Sequence, residues 1–234
     1  MNYRVERQAA YVLHTRPYRD TSALVDLLTL EYGRVSVVCR GLRRPGSKAR
    51  GVLQPFVPLQ VGWQGRNDLK TLTLAESTSY NGLLKGKALI CALYANELLH
   101  RLLTVFDPHP KLFVYYQFLI TALIDADIEI PLRIFERQLI AELGYSIDLT
   151  QIDASAVYYF EGEQKLLTSV TLIQEQHKSR YFHGHHLLAI ASDDYSDAAI
   201  RRSAKRFMRL QIDNLLEGRV LNSRNLLQTK RRFP

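Results

Sequence analysis

Five short apolar or alternating runs, each closed off by turn-forming residues, crowd the first eighty positions and constrain that stretch more than any other feature does. They cover residues 10–14, 23–29, 35–39, 56–63 and 69–74, and Arg19-Asp20, Tyr32-Gly33, Pro45-Gly46-Ser47 and Gly65-Arg66-Asn67-Asp68 fall between them. Extended chain sends alternate side chains to opposite faces, so each run can bury one face, and the residues between them favour turns. Short, evenly spaced strands close readily into a small barrel, which leaves no unpaired edge. Five strands in eighty residues match the size of an OB-fold, although the pattern alone does not separate it from an SH3-like barrel.

After Asn81-Gly82 the apolar period lengthens to that of a helix. Helices are predicted at about 89–103, ended by Asp107-Pro108-His109-Pro110, then at 112–124 and 131–143. Pro131 suits a first turn and Gly144 a C-terminal stop. Residues 145–182 lose this texture. Val157-Tyr158-Tyr159-Phe160 and Leu166-Leu167-Thr168-Ser169-Val170 read there as a hairpin or small irregular insert. Helical pattern returns at 185–191 and strongly at 196–217. The expected class is α+β: an N-terminal OB-fold barrel, residues 1–80, then an α-helical domain, residues 81–234, with a small β or irregular insert at about 146–182.

No apolar run approaches the roughly 18 residues that cross a bilayer, and the start, MNYRVERQAA, lacks a signal peptide's apolar stretch. Cys39 and Cys91 lie far apart in apolar settings, which suits buried thiols in a reducing compartment, so a cytoplasmic protein is expected. The net charge of +8 is unevenly spread: +6 over residues 1–80, −6 over 81–199 and +8 over 200–234. Two basic regions around an acidic middle favour a polyanion at the ends, and a different partner or plain solvation at the centre.

Residues 32–67 hold seven basic side chains, Arg34, Arg40, Arg43, Arg44, Lys48, Arg50 and Arg66, and no Asp or Glu. Five of them fall in a Gly/Pro/Ser loop at 40–50, where a mobile cationic loop could follow a phosphate backbone. Tyr18, Phe56 and Trp63 could offer faces for base stacking, but core packing is the expectation for each taken singly. In the 196–217 helix, Ile200, Ala204, Phe207, Met208, Ile212 and Leu215 share one arc. Arg201, Arg202, Lys205, Arg206 and Arg209 fill the other, facing DNA, an acidic peptide or solvent. Catalytic patterns are thin. His177, His183, His185, His186, Asp193 and Asp194 could in principle hold a metal, yet neighbouring histidines seldom converge on one ion. The pairs Glu161/Glu163 and Asp125/Asp127 read as surface charge. Expected are no catalytic residues, no metal and no cofactor.

Several segments resemble the RecO family: Ala10-Tyr11-Val12-Leu13-His14-Thr15-Arg16-Pro17-Tyr18, Glu31-Tyr32-Gly33-Arg34-Val35, Gly51-Val52-Leu53-Gln54-Pro55-Phe56, Lys70-Thr71-Leu72, Tyr94-Ala95-Asn96-Glu97-Leu98-Leu99, Arg133-Ile134-Phe135-Glu136, Ala204-Lys205-Arg206-Phe207 and Leu221-Asn222-Ser223-Arg224. The resemblance implies an OB-fold, a helical domain and a non-enzymatic role in DNA repair and recombination. It implies binding to single- and double-stranded DNA, annealing of complementary strands coated with single-stranded-DNA-binding protein, and loading of the RecA recombinase together with RecR. Arg16 and Lys70, inside resembling segments, join the seven cations above as expected DNA contacts. The acidic C-terminal tail of single-stranded-DNA-binding protein would need an apolar pocket rimmed by arginines. Arg133, Phe135 and Arg137, with Lys205, Arg206 and Arg209 opposite, are the expected site; a salt bridge of Arg133 with Glu129 or Glu136 is the alternative. A protein monomeric on its own and associated with the nucleoid is expected. Many family members carry a four-cysteine zinc module where residues 146–182 have no cysteine, so this insert must hold itself by packing. An OB-fold RNA-binding protein and a metal-dependent nuclease are the alternative functions.

Overall fold

The computed structural model describes residues 4–79, 82–125, 128–162, 164 and 166–229. Five strands form a closed barrel in the order β1-β2-β3-β5-β4: β1 (Arg4–Tyr18), β2 (Ser22–Thr29), β3 (Gly33–Cys39), β4 (Leu59–Gln64) and β5 (Lys70–Ser77). All neighbours are antiparallel except β3 and β5, which pair in parallel and complete the closure. This OB-like arrangement bears out the expected α+β class, and it follows from the alternation: β3 buries Gly33, Val35, Val37 and Cys39 and leaves the residues between them half-exposed. β1 pairs with both β2 and β4, and register shifts at Val12/His14 and Val5/Gln8 bend it to do so.

Gly33, at φ +64°, makes the turn into β3; a Cβ there would also strike the Asp107 carbonyl. The fourth run begins later than predicted, at Leu59 rather than residue 56. Pro55 and Pro58 cannot donate to a ladder, and Phe56 sits at φ +68°. Trp63 fills the barrel with an exposure of 1% and meets Tyr32 edge-on at 5.3 Å, so of the three aromatics considered for stacking it is a core residue.

A short helix that the periodicity did not indicate, α1 (Lys48–Val52), closes the cationic segment, and the expected helices α2 (Gly86–Leu102) and α3 (Pro110–Ile124) follow the barrel strands in the chain. α4 (Glu129–Glu142) begins two residues before Pro131 and ends at Gly144 (φ +79°), where the Gly144 and Tyr145 N–H groups return to the Ala141 and Ile140 carbonyls. A second sheet of order β7-β6-β8 comprises β6 (Val157–Glu161), β7 (Leu166–Val170) and β8 (Tyr181–His183), and is followed by α5 (Gly184–Ala191), α6 (Ala198–Leu216) and α7 (Asn222–Thr229). The described chain groups into two compact units, residues 1–126 with 221–234, and residues 127–220. The change from strands to helices falls between Ser77 and Gly86.

Within the first unit, Asn96 stitches α2 to β1. The bulge at Val12/His14 leaves ladder carbonyls unpaired, and buried Asn96 donates to Val12 O and Leu13 O, both at 3.1 Å. Its own oxygen accepts from Tyr116 at 2.6 Å. Its neighbour Glu97 caps α7, accepting from the N–H groups of Asn222 (3.0 Å) and Ser223 (2.9 Å) and from the Ser223 hydroxyl (2.7 Å). Burial alone would push the Glu97 carboxyl up, but the Ser223 and Asn222 bonds outweigh it and hold it below its ordinary value. The second unit has an aromatic centre. Phe160 and Phe182 stand against Phe207 of α6 at 5.6 and 5.0 Å, and Tyr159 against Tyr181 at 5.1 Å, which gives the cysteine-free insert its packing.

Candidate nucleic-acid interface

Between β3 and α1 the chain runs through a series of backbone-bonded turns, not the loose loop expected. Arg44 N donates to Gly41 O, Ser47 N to Arg44 O and Arg50 N to Ser47 O, at 3.1–3.2 Å, while Arg43 N reaches back to Thr21 O at 2.9 Å. Leu42 and Leu53, at its two ends, are buried in the barrel core. The segment therefore presents Arg40, Arg43, Arg44, Lys48 and Arg50 outward from an anchored base, and all five are exposed. Arg16 on β1 is exposed too, as is Arg66 between β4 and β5. Among the described residues, the ion pairs of the barrel are Arg4–Glu6 (3.5 Å), Arg7–Glu76 (3.3 Å) and the His14 and His100 contacts to Asp26; none engages Arg16 or the five turn cations. The nearest claim on any of them is a bond from Arg43 to Arg19 O at 3.2 Å. Unneutralised cations at this density suit a phosphate chain.

Two expected contacts are placed differently. Lys70 is buried at 3% exposure, its ammonium donating to Gly65 O at 3.0 Å and lying 5.2 Å above the Phe106 ring. That corrects its reading as a surface cation. Arg34 is half-buried and donates to His100 O at 3.0 Å. Tyr18 and Phe56 remain partly exposed.

The expected tail-binding set also divides. Arg133 and Phe135 are buried, at 5% and 0% exposure, and Arg133 is ion-paired with buried Glu136. Arg137 clasps Asp193, with its Nε 2.7 Å from Oδ1. These side chains hold α4 in place and present no free pocket rim, which corrects that half of the expectation. α6 keeps the other half. Lys205 and Arg209 are exposed, Arg209 reaching Asp213 at 3.7 Å, and Arg206 is half-buried. Arg206 donates to Tyr181 O at 2.7 Å, stacks 4.6 Å over Phe182, and its Nε is unpartnered. Beside it lies a pocket of about 270 Å³, bordered by Lys178, Tyr181, Phe182, His183, Arg202 and Arg206, which sequence spacing did not reveal.

The other residues considered for metal or acid chemistry are largely committed. Asp194 accepts from Ser196, Asp193 holds Arg137 and Tyr195, and His186 Nδ1 lies 2.8 Å from the Ser203 hydroxyl. Of the acid pairs, Asp127 and Glu163 lie outside the described residues. A different trio does converge, at the junction of β1, β2 and α2: His14, Asp26 and His100. Asp26 is buried and accepts from Ser36 and His100; burial raises its carboxyl, but those two bonds prevail and hold it below the ordinary value. Both thiols, Cys39 and Cys91, are buried. No helix among the described residues is long and apolar enough to cross a membrane.

A closed five-stranded OB-like barrel with an uncompensated cationic turn, continued by a helical region, defines an oligonucleotide/oligosaccharide-binding-fold protein. Two family models match it, Recombination protein O N terminal over residues 1–81 and Recombination protein O C terminal over residues 84–155. Proteins called DNA repair protein RecO are similar over nearly their whole length. The one from Nitrosococcus oceani is 43% identical, covering 98% of this chain and 96% of its own. Those from Marinobacter nauticus and Haemophilus influenzae are each 40% identical, covering 95% and 94% of this chain and 94% and 95% of theirs. The chain belongs to the RecO family.

Proposed function

We propose that this protein is a DNA repair and recombination mediator, acting by binding and not by catalysis. The barrel holds single- and double-stranded DNA through Arg16, Arg40, Arg43, Arg44, Lys48, Arg50 and Arg66. Complementary strands coated with single-stranded-DNA-binding protein are annealed, and with RecR the protein helps load RecA, at the nucleoid. The observation that carries this reading is the anchored turn of five exposed cations, which no carboxylate among the described residues pairs. Phosphate contacts of this kind are insensitive to sequence, as an annealing protein requires, and half-exposed Tyr18 and Phe56 offer ring faces to unstacked bases.

The acidic tail of single-stranded-DNA-binding protein is assigned to α6. The pocket beside Arg206 is lined by Lys178, Tyr181 and Arg202 as well as by the Arg206 guanidinium stacked on buried Phe182, so cations and an aromatic ring border the same space. Lys205 and Arg209 extend the cationic surface along the helix. DNA and tail sites then belong to different compact units and can be disabled separately. Annealing of complementary oligonucleotides, bare and coated, tests both assignments. Neutralising the turn should abolish both activities. Lys205→Glu with Arg209→Glu should weaken a tail peptide at least tenfold, about 1.4 kcal/mol, and spare annealing of bare strands. Equal loss of bare and coated annealing in the α6 variant would refute the division.

A further inference from the structure

His14, Asp26 and His100 are brought together by register as much as by packing. In the barrel wall Asp26 stands opposite His14 on one side and Ser36 on the other. The bulge at Val12/His14 sets the aim of the His14 ring, and α2 brings His100 from above. His100 Nε2 lies 3.1 Å and His14 Nδ1 3.9 Å from the same oxygen, Asp26 Oδ2, and the three ligand atoms all fall within 4.8 Å of one another. A tetrahedral ion bonded at about 2.0–2.1 Å holds its ligand atoms about 3.3 Å apart, so the His100 contact to Asp26 is already near that spacing and the His14 contact must close by roughly 0.6 Å, within reach of a half-exposed side chain. The other carboxylate oxygen, Oδ1, accepts from Ser36 Oγ, which fixes the carboxylate's orientation and leaves Oδ2 for the ion. Asp26 is buried while the His14 side chain is about half-exposed at 51%, so the side away from the barrel is open to water.

We propose that His14, Asp26 and His100 form a binding site for one divalent transition-metal ion of the zinc class, with a fourth position left to water. Two imidazole nitrogens and one carboxylate suit zinc or cobalt better than magnesium or calcium, which take oxygen ligands. The expectation of no metal came from motif spacing; these ligands are 12 and 74 positions apart and belong to no such motif. The site belongs to the first compact unit and the insert at 146–182 to the second.

The test uses untagged full-length protein, stripped with a chelator and dialysed. Titration with Zn²⁺ by calorimetry and with Co²⁺ by visible absorption should each show one ion per chain, the cobalt spectrum being that of a four-coordinate nitrogen/oxygen site. His14→Gln and His100→Gln should each lower affinity at least tenfold while circular dichroism melts show a folded protein. Because His183, His185 and His186 form a separate imidazole cluster, His185→Gln should leave affinity unchanged. The proposal is overturned by absence of binding at ion concentrations far above that of the protein. Stoichiometric binding that survives both His14→Gln and His100→Gln, or that His185→Gln removes, overturns it equally, since the ion then sits elsewhere.

Discussion

Replacing Arg43 and Arg44 together by glutamine removes two of the five exposed cations on the turn between β3 and α1. The turn itself should survive, because its anchors are backbone bonds (Arg43 N to Thr21 O, Arg44 N to Gly41 O) and the buried Leu42 and Leu53. A folding cost within about 0.5 kcal/mol is expected for such surface changes. If each of the five cations releases one counterion from single-stranded DNA, the slope of log affinity against log salt is about −3.5 for the native turn and about −2.1 for the variant. Between 50 and 200 mM salt the native affinity then falls by about a hundredfold and that of the variant by about twentyfold. Fluorescence anisotropy with a labelled oligothymidine across that range measures both slopes. The matched control is Lys205→Gln with Arg209→Gln on α6, whose slope should equal that of the native protein. An unchanged slope in the turn variant refutes the reasoning, whatever happens to affinity at one salt concentration.

Other expectations follow from the buried polar groups. Asn96→Leu removes the buried donor to the Val12 and Leu13 carbonyls and the acceptor of the Tyr116 hydroxyl bond, so a loss of about 3 kcal/mol is expected in denaturant unfolding. Glu97→Ala uncaps α7 and should cost about 2 kcal/mol, with hydrogen exchange at Asn222 and Ser223 accelerated. Because the folded-state Glu97 carboxyl is held below its usual 4.5, its contribution is present above that pH and lost as the pH falls through the lower folded value; the variant's stability deficit should therefore shrink on acidification below 4.5. Arg133→Glu places a second carboxylate against buried Glu136 and should unfold or severely destabilise the protein, whereas Arg133→Leu with Glu136→Leu should be far milder in thermal melts.

Much of the architecture was legible in the chain because it depends on local periodicity. The alternation of Val35, Val37 and Cys39 requires a strand buried on one face, and the arc of Ala204, Phe207, Met208 and Ile212 requires a helix laid on a core. The cationic turn was equally plain, since an acid-free run of arginines is a property of consecutive residues. Charge, however, does not reveal exposure. Lys70 and Arg133 look like surface cations in the sequence, and only the packing around them, a carbonyl and a ring for one and Glu136 for the other, decides that they are interior. Helix α7 is too short and polar to announce itself, because its cap is supplied by Glu97, 125 residues before Asn222. The convergence of His14, Asp26 and His100 was likewise invisible, as it depends on the register of three strands and the seating of α2. Sequence alone determined the strongly periodic strands and helices and where positive charge concentrates, because those are carried by neighbouring residues. Tertiary structure decided which charges face water and which distant side chains meet, because burial and long-range contact arise only when the chain closes on itself.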